Sequence, residues 1–280
     1  MAERPDPGWV LQISPNDHPP FKDICNVYRL ALESLGMTVQ TLFLSAPVAT
    51  AAPDGIYLEQ DDLRDVRNVA RAVRSQIGDT LPLLAVCHRY RSYRVLRASA
   101  LAIPRVVVVA HEFGFFKRLQ RRIERVLFAR HVRFAGVSPA VQAELADTVS
   151  DPLYLPNGLD LETLERERLP RETALKQLDL EQGSFTIGLV GRLVPKKQPV
   201  LAIEALRYLL KERQNVRLIV IGDGELRDQL LQAADGLPVT FSGFVPDARR
   251  LLGALDVMLL TSRDVEAFGM VALEAMASGV

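Results

Sequence analysis

The chain is expected to fold as α/β, with two doubly wound parallel sheets in tandem, and three observations carry that expectation. Short runs rich in Val, Ile and Leu alternate with longer segments of helical periodicity along the 280 residues, as strands joined by helical crossovers do. The alternation occurs twice, interrupted at 161–182 by a mostly charged stretch with no strand signal. Apolar runs end in residues such as His111 and Gly191, just before a new helix or loop. Ligands of open α/β sheets bind at that carboxyl edge.

Taken in order, Trp9 to Ile13 reads as a strand, Asp23 to Leu35 as a helix ended by Gly36, and Thr38 to Leu44 as a returning strand. A helix is predicted over 63–77 and a buried strand over 83–87. Val106 to Ala110 is too short for a helix and rich in Val, so it is a central strand with His111 at its carboxyl end. Helix 117–130 follows, with Leu119, Ile123, Val126 and Leu127 on one face. After strand 134–137, Ser138-Pro139 has the cap and first-turn chemistry of a helix start. The second alternation predicts strands at 185–190, 216–221, 239–241 and 256–260, with helices at 199–213, 225–234, 247–254 and 269–278. The expected division is therefore a first domain at 1–165, a linker at 166–183 and a second domain at 184–280, with a cleft between the sheets. The last residues, Ala277-Ser278-Gly279-Val280, read as a helix cap followed by the first residue of a strand, so the second domain is expected to be incomplete.

Hydrophobic residues make up 48% and charged residues 24%, a globular balance that excludes disordered and fibrous classes. No apolar run approaches the roughly 20 residues of a bilayer span, and no basic-then-apolar leader opens the chain. Cys25 and Cys87 lack metal-ligand spacing and sit among apolar neighbours, as reduced thiols do, so a cytoplasmic location is expected. Net charge is zero, yet residues 89–133 hold twelve Arg and Lys against Glu112 and Glu124, which implies an anionic neighbour. Helix 117–130 combines apolar and cationic faces, the profile of a helix lying on the inner face of a membrane. Nucleic acid lacks the aromatic interleaving that would support it, and none is expected as a partner.

The most informative stretch lies at the end, where strand 256–260 runs through Ser262, Glu266, Phe268 and Gly269 into a helix carrying Glu274. Unpaired N–H groups at a helix start favour a phosphate there. Glu274, five residues beyond Gly269, lies about 7.5 Å further along at the helical rise, which suits a sugar on one side of the phosphate and a ribose on the other. Glu266 and Glu274 around an Ala-Phe-Gly turn resemble the E-x7-E signature of retaining GT-B glycosyltransferases, particularly glycosyltransferase family 4. Gly191-Arg192-Leu193 with Lys197 resembles the same family's GRL-x3-K segment, although Gln198-Pro199 stands where relatives usually have Gly.

The resemblance implies a GT-B architecture of two Rossmann-like domains and transfer of a sugar from a UDP- or GDP-linked donor to a hydroxyl acceptor. Arg192 and Lys197 would grip the diphosphate, Glu266 the sugar hydroxyls, Glu274 the ribose, and the Phe268-Gly269 backbone the region between. His111 would contact the transferred sugar as a catalytic residue beside Glu266, and the backbone at Phe244 and Val245 would lie near the base. Fixed cations aimed at the departing diphosphate stabilise the transition state, and deleting one such donor typically costs about 3 to 4 kcal/mol. No metal and no cofactor is expected, because these groups supply the charge and no Asp-x-Asp motif is present. The loop after the first strand lacks the glycines of many relatives, so Asn16, Asp17 or His18 is expected to address the acceptor, a glycan or glycolipid of surface polysaccharide or lipopolysaccharide synthesis. A same-fold epimerase or phosphorylase, or a truncated non-catalytic binding protein, are the alternative readings.

Overall fold

The computed structural model describes residues 8–47, 52, 54–128, 131–263 and 266–280. The chain divides into two compact units, Met1–Gly158 and Leu159–Val280.

Unit 1 is a seven-stranded sheet of β1 (Trp9–Ser14), β2 (Thr38–Phe43), β3 (Gly55–Tyr57), β4 (Leu84–His88), β5 (Arg105–Ala110), β6 (Val132–Gly136) and β7 (Leu153–Tyr154). The order is β3-β2-β1-β4-β5-β6-β7, with every pairing parallel. Its connecting helices are α1 (Phe21–Ser34), α2 (Val66–Ile77), α3 (Arg89–Ala98), α4 (Leu119–Phe128) and α5 (Pro139–Ala146). Val10, Leu11, Ile13 and Val108 to Ala110 are buried, so the central strands are covered on both faces and read as largely apolar runs, with the buried Gln12 a polar exception in β1. The strand order reverses between β1 and β4, the switch point at which such sheets open a crevice at their carboxyl edge. The start at Ser138 is as its chemistry predicts: its Oγ accepts a hydrogen bond of 3.3 Å from Val141 N.

Helix α4 is turned opposite to the usual amphipathic arrangement. Its apolar residues face out, with Leu119 71%, Ile123 51%, Val126 67% and Leu127 64% exposed. Glu124 faces in at 8% exposure, taking the Tyr90 hydroxyl, a 2.8 Å bond from Gln120 Nε2 and an ion pair of 3.4 Å with Arg97. Burial alone would raise that carboxyl, but the hydrogen bonds from Tyr90 and Gln120 and the charge of Arg97 hold it below its ordinary range.

Unit 2 is a four-stranded parallel sheet, β10-β9-β8-β11, made of β8 (Phe185–Val190), β9 (Val216–Ile221), β10 (Val239–Gly243) and β11 (Val257–Met258). Helices α6 (Leu161–Glu167), α7 (Arg171–Gln177), α8 (Val200–Leu209), α9 (Arg227–Ala233) and α10 (Met270–Ala277) accompany it, and a 3-10 segment occupies Ala248–Ala254, where an α-helix is predicted. One core packs Leu189, Leu193, Ile203, Leu206 and Leu218; the other packs Ala174, Leu175, Leu251, Leu255 and Ala275. The second core reaches into the stretch 166–183, expected to be a linker. Helix α7 buries Ala174 and Leu175, and Arg171 makes bonds of 2.9 and 3.0 Å to the two Asp256 carboxylate oxygens, so the segment is a structural part of unit 2. Unit 2 begins at Leu159.

Candidate functional site

The carboxyl edge of the unit 2 sheet gathers the loops after β8, β9, β10 and β11 with the start of α10. Backbone contact between the first two loops sets their geometry: Leu193 N donates to Asp223 O at 2.9 Å and Leu226 N to Leu193 O at 3.1 Å. Gly222 is required there, because a Cβ on it would lie 1.9 Å from the Gly191 carbonyl oxygen. The β10 loop joins through Gly222 N donating to Gly243 O at 2.8 Å.

The β8 and β11 loops are stitched together at Lys197. Thr261 Oγ1 donates to the Lys197 carbonyl at 2.7 Å, and the Lys197 ammonium pairs with Glu266 Oε2. Ser262 Oγ donates to the same Glu266 oxygen at 2.8 Å. Half-burial would raise the Glu266 carboxyl, but the hydrogen bonds from Lys197 and Ser262 and the lysine charges outweigh it and hold it below its ordinary range. Glu266 is therefore an anion already engaged by a cation. Arg192 is exposed and lines the same small pocket as Gly191, Lys197, Thr261 and Ser262, while Lys196 faces solvent.

Gly269 caps α10 in the left-handed region at φ 81°, with Glu266 Cγ 3.6 Å from where its Cβ would stand, so the loop glutamate folds over the helix start. Glu274 sits half-buried within α10, with Phe268 half-buried before it. After β10, Phe244 is 72% exposed and Val245 packs partly against the core around Leu251. Arg192, Lys197, Glu266, Gly269 and the Phe244–Val245 segment thus belong to loops of one sheet edge.

In unit 1, His111 follows β5 and meets a residue that sequence reasoning missed. His88, at the end of β4, places Nδ1 3.0 Å from His111 Nε2 and Nε2 2.9 Å from Gln12 Oε1. Gln12, fully buried on β1, also donates from Nε2 to the Cys25 carbonyl and to Thr41 Oγ1, each at 2.9 Å. Burial depresses the His88 imidazole to about 3. His111 lies well below its ordinary value, through burial first and then the neighbouring charges of His88 and Arg89. A signal was present: His88 and His111 each end an apolar run, and the two strands pair in parallel.

The loop residues offered as alternatives for addressing an acceptor differ in exposure. His18 is exposed, and its backbone N–H donates to Asn16 Oδ1 at 3.3 Å. Asp17 is 3% exposed and takes the Tyr57 hydroxyl at 2.9 Å, which braces the loop from within.

Among the described residues, no cluster of three or more His, Cys, Asp or Glu has metal-site geometry, and no helix is long and apolar enough to cross a membrane. Burial pushes the Cys25 and Cys87 thiols up, away from reactivity.

Comparison with known proteins addresses the same elements. Residues 170–280 match the family Glycosyl transferases group 1. A GDP-mannose-dependent alpha-(1-6)-phosphatidylinositol dimannoside mannosyltransferase of Mycobacterium tuberculosis is 30% identical over 241 residues, which cover 78% of this chain and 58% of the relative. A lipopolysaccharide 1,2-N-acetylglucosaminetransferase of Salmonella typhimurium is 30% identical over 138 residues, 45% of this chain and 36% of the relative. The chain thus spans less than two thirds of these curated relatives. Among solved structures, HepE of Anabaena in complex with UDP and glucose superposes with a TM-score of 0.66 at 21% identity, covering 97% of this chain and 79% of that one. A sucrose-phosphate synthase of Thermosynechococcus elongatus gives 0.72 at 18% identity, covering 98% and 80%. The chain therefore has the two-sheet parallel α/β fold of GT-B glycosyltransferases, and its second unit matches a glycosyltransferase family.

Proposed function

We propose that the chain is a retaining glycosyltransferase of family 4 type that moves a sugar from a UDP- or GDP-linked donor to a hydroxyl of a glycan or glycolipid. The observation that carries this is the convergence of Arg192, Lys197 and Glu266 beside the start of α10 at one sheet edge of unit 2. In the reaction the anomeric carbon–phosphate oxygen bond breaks, the acceptor oxygen bonds to that carbon on the same face, and its proton passes to the departing phosphate.

Arg192, Lys197 and the α10 amino end hold the diphosphate, Glu274 the ribose and the Phe244–Val245 backbone the base. Lys197 exchanges Glu266 for diphosphate oxygens on binding, which releases Glu266 to accept hydrogen bonds from the sugar. His111 is proposed, on the family resemblance alone, as a sugar contact. Because fixed cations and a helix start supply the positive charge, the reaction is proposed to need no metal. The outward apolar face of α4, flanked by Arg118, Arg122 and Arg125, is proposed to rest on an anionic membrane surface where a lipid-linked acceptor resides, at the cytoplasmic face. Both curated relatives described above act, by name, on a lipid or lipopolysaccharide.

The test is calorimetric titration of the chain with UDP and with GDP, in chelator, beside Arg192→Ala and Glu274→Ala. Binding of one nucleotide, weakened at least tenfold by each change, is expected. No binding of either nucleotide by a cooperatively folded protein would overturn the donor site.

A further inference from the structure

The histidine pair in unit 1 has a proton arrangement that its neighbours force. Gln12 Nε2 lies 2.9 Å from the Cys25 carbonyl oxygen, which only accepts, so that end of the amide carries the hydrogens. Gln12 Oε1 is then the acceptor at 2.9 Å from His88 Nε2, and His88 Nε2 must bear a proton. His88 is fully buried, and the depressed basicity of its ring agrees with a neutral imidazole. A neutral ring protonated at Nε2 has a lone pair at Nδ1. His111 Nε2, 3.0 Å away, must therefore donate to it.

The chain of donors ends at His111 Nδ1. This nitrogen is buried without a hydrogen-bond partner among the described residues. The edge of Phe21 packs on the ring at a centroid distance of 5.1 Å and holds its plane. In the neutral Nε2–H form, Nδ1 can only accept, and a buried acceptor left unpaired is unfavourable until a donor reaches it.

We propose that Gln12 and His88 are positioning residues that lock His111 as its Nε2–H tautomer and leave Nδ1 as a lone-pair acceptor for a hydroxyl of the transferred sugar. The ligand half rests on the function proposed above; the tautomer half rests only on the contacts of β1, β4 and β5. The arrangement selects a hydroxyl donor at this point and rejects a carbonyl or phosphate oxygen, which would face lone pair against lone pair.

The experiment is a long-range proton–nitrogen correlation spectrum of the whole chain, labelled with nitrogen-15 histidine, at pH 7.5. Spectra of His18→Gln and His131→Gln remove the two exposed histidines from the assignment. His88 and His111 are each expected to show a pyrrole-type Nε2 and a pyridine-type Nδ1, fixed rather than averaged. In Gln12→Met the His88 proton loses its acceptor, and both rings are expected to move toward mixed tautomers. Should that variant fail to fold, His88→Leu removes the acceptor of the His111 proton and is expected to release His111 alone.

A pyrrole-type Nδ1 on His111 in the unchanged protein would overturn the proposal. So would a folded Gln12→Met or His88→Leu protein whose His111 signals are unmoved. Titration with UDP-glucose and GDP-mannose then reads the ligand half. The nucleotide sugar that binds is expected to shift the His111 Nδ1 resonance upfield as a hydroxyl donates to it. A locked tautomer with bound nucleotide sugar and an unmoved Nδ1 would overturn the assignment of the sugar hydroxyl. Absence of nucleotide-sugar binding would instead refute the function proposed above while the tautomer result stood.

Discussion

Acidification from pH 7.5 to pH 5 should destabilise unit 1 through its buried histidines. The His88 imidazole titrates near 3 in the folded chain against an ordinary value of 6.5. Between those values the unfolded chain binds a proton that the folded chain excludes. Stability is therefore complete above pH 6.5 and is lost as the pH falls toward 3. One such group contributes a loss of about 2 kcal/mol by pH 5 and about 4 kcal/mol by pH 3. His111, shifted the same way by burial and by the neighbouring His88 and Arg89, adds to it. Glu124, Asp160 and Glu266 are held low, so their contributions are lost mainly below pH 4.5 and leave the upper window to the imidazoles. Against a typical domain stability of about 5 to 15 kcal/mol the loss is large. Urea unfolding followed by fluorescence of Trp9, the single tryptophan, reads unit 1 because that residue begins β1. The midpoint should fall steadily from pH 7.5 to 5, equally in His18→Gln and His131→Gln, whose histidines are exposed. A midpoint that is flat over this range would refute a neutral, buried His88.

Gly222→Ala should destabilise unit 2 by about 3 kcal/mol or more, since its Cβ would fall 1.9 Å from the Gly191 carbonyl oxygen at a φ of 145°; hydrogen exchange across β8 and β9 checks this. Gln198→Gly should stabilise the same unit by about 1 kcal/mol, because Gln198 occupies the left-handed region at φ 44°, and differential scanning calorimetry should show the rise. Ile123→Asp with Val126→Asp should leave stability within about 0.5 kcal/mol, as both side chains are exposed. The same pair should abolish co-sedimentation with phosphatidylglycerol vesicles, and full retention on those vesicles would sink the membrane reading. Glu266→Gln should weaken the Lys197 pairing and tighten binding of UDP or GDP severalfold while lowering turnover, a split that calorimetry and a transfer assay resolve.

The strands were legible because a doubly covered parallel strand is mostly apolar, as Val106 to Ala110 is, even where a buried Gln12 or His88 interrupts the pattern. Helix α3 was hidden in the same chain by Arg89, Arg91, Arg94 and Arg97, which register as a charge block although Tyr90, Tyr93 and Leu96 between them are buried. Periodicity found α4 but could not orient it. That depended on Tyr90 and Arg97 of another helix offering Glu124 a buried ion pair and hydrogen bond, a partnership with no local trace. The site shows the same division. Lys197 and Glu266 each stand in a recognisable segment, yet their direct pairing joins residues 69 positions apart.

Gln198 joins the two levels. The family resemblance would place glycine at its position, and the backbone supplies a reason: the 3-10 turn Pro195–Lys197 ends in a left-handed residue. That conformation returns the chain so that Thr261 Oγ1 can reach the Lys197 carbonyl and Glu266 its ammonium. A side chain there costs about 1 kcal/mol, less than the contacts it leaves intact. With glutamine at this position Lys197 still makes both contacts. On the proposed function, the placement of Lys197, rather than the identity of the residue after it, is what brings a cation to a diphosphate at this edge.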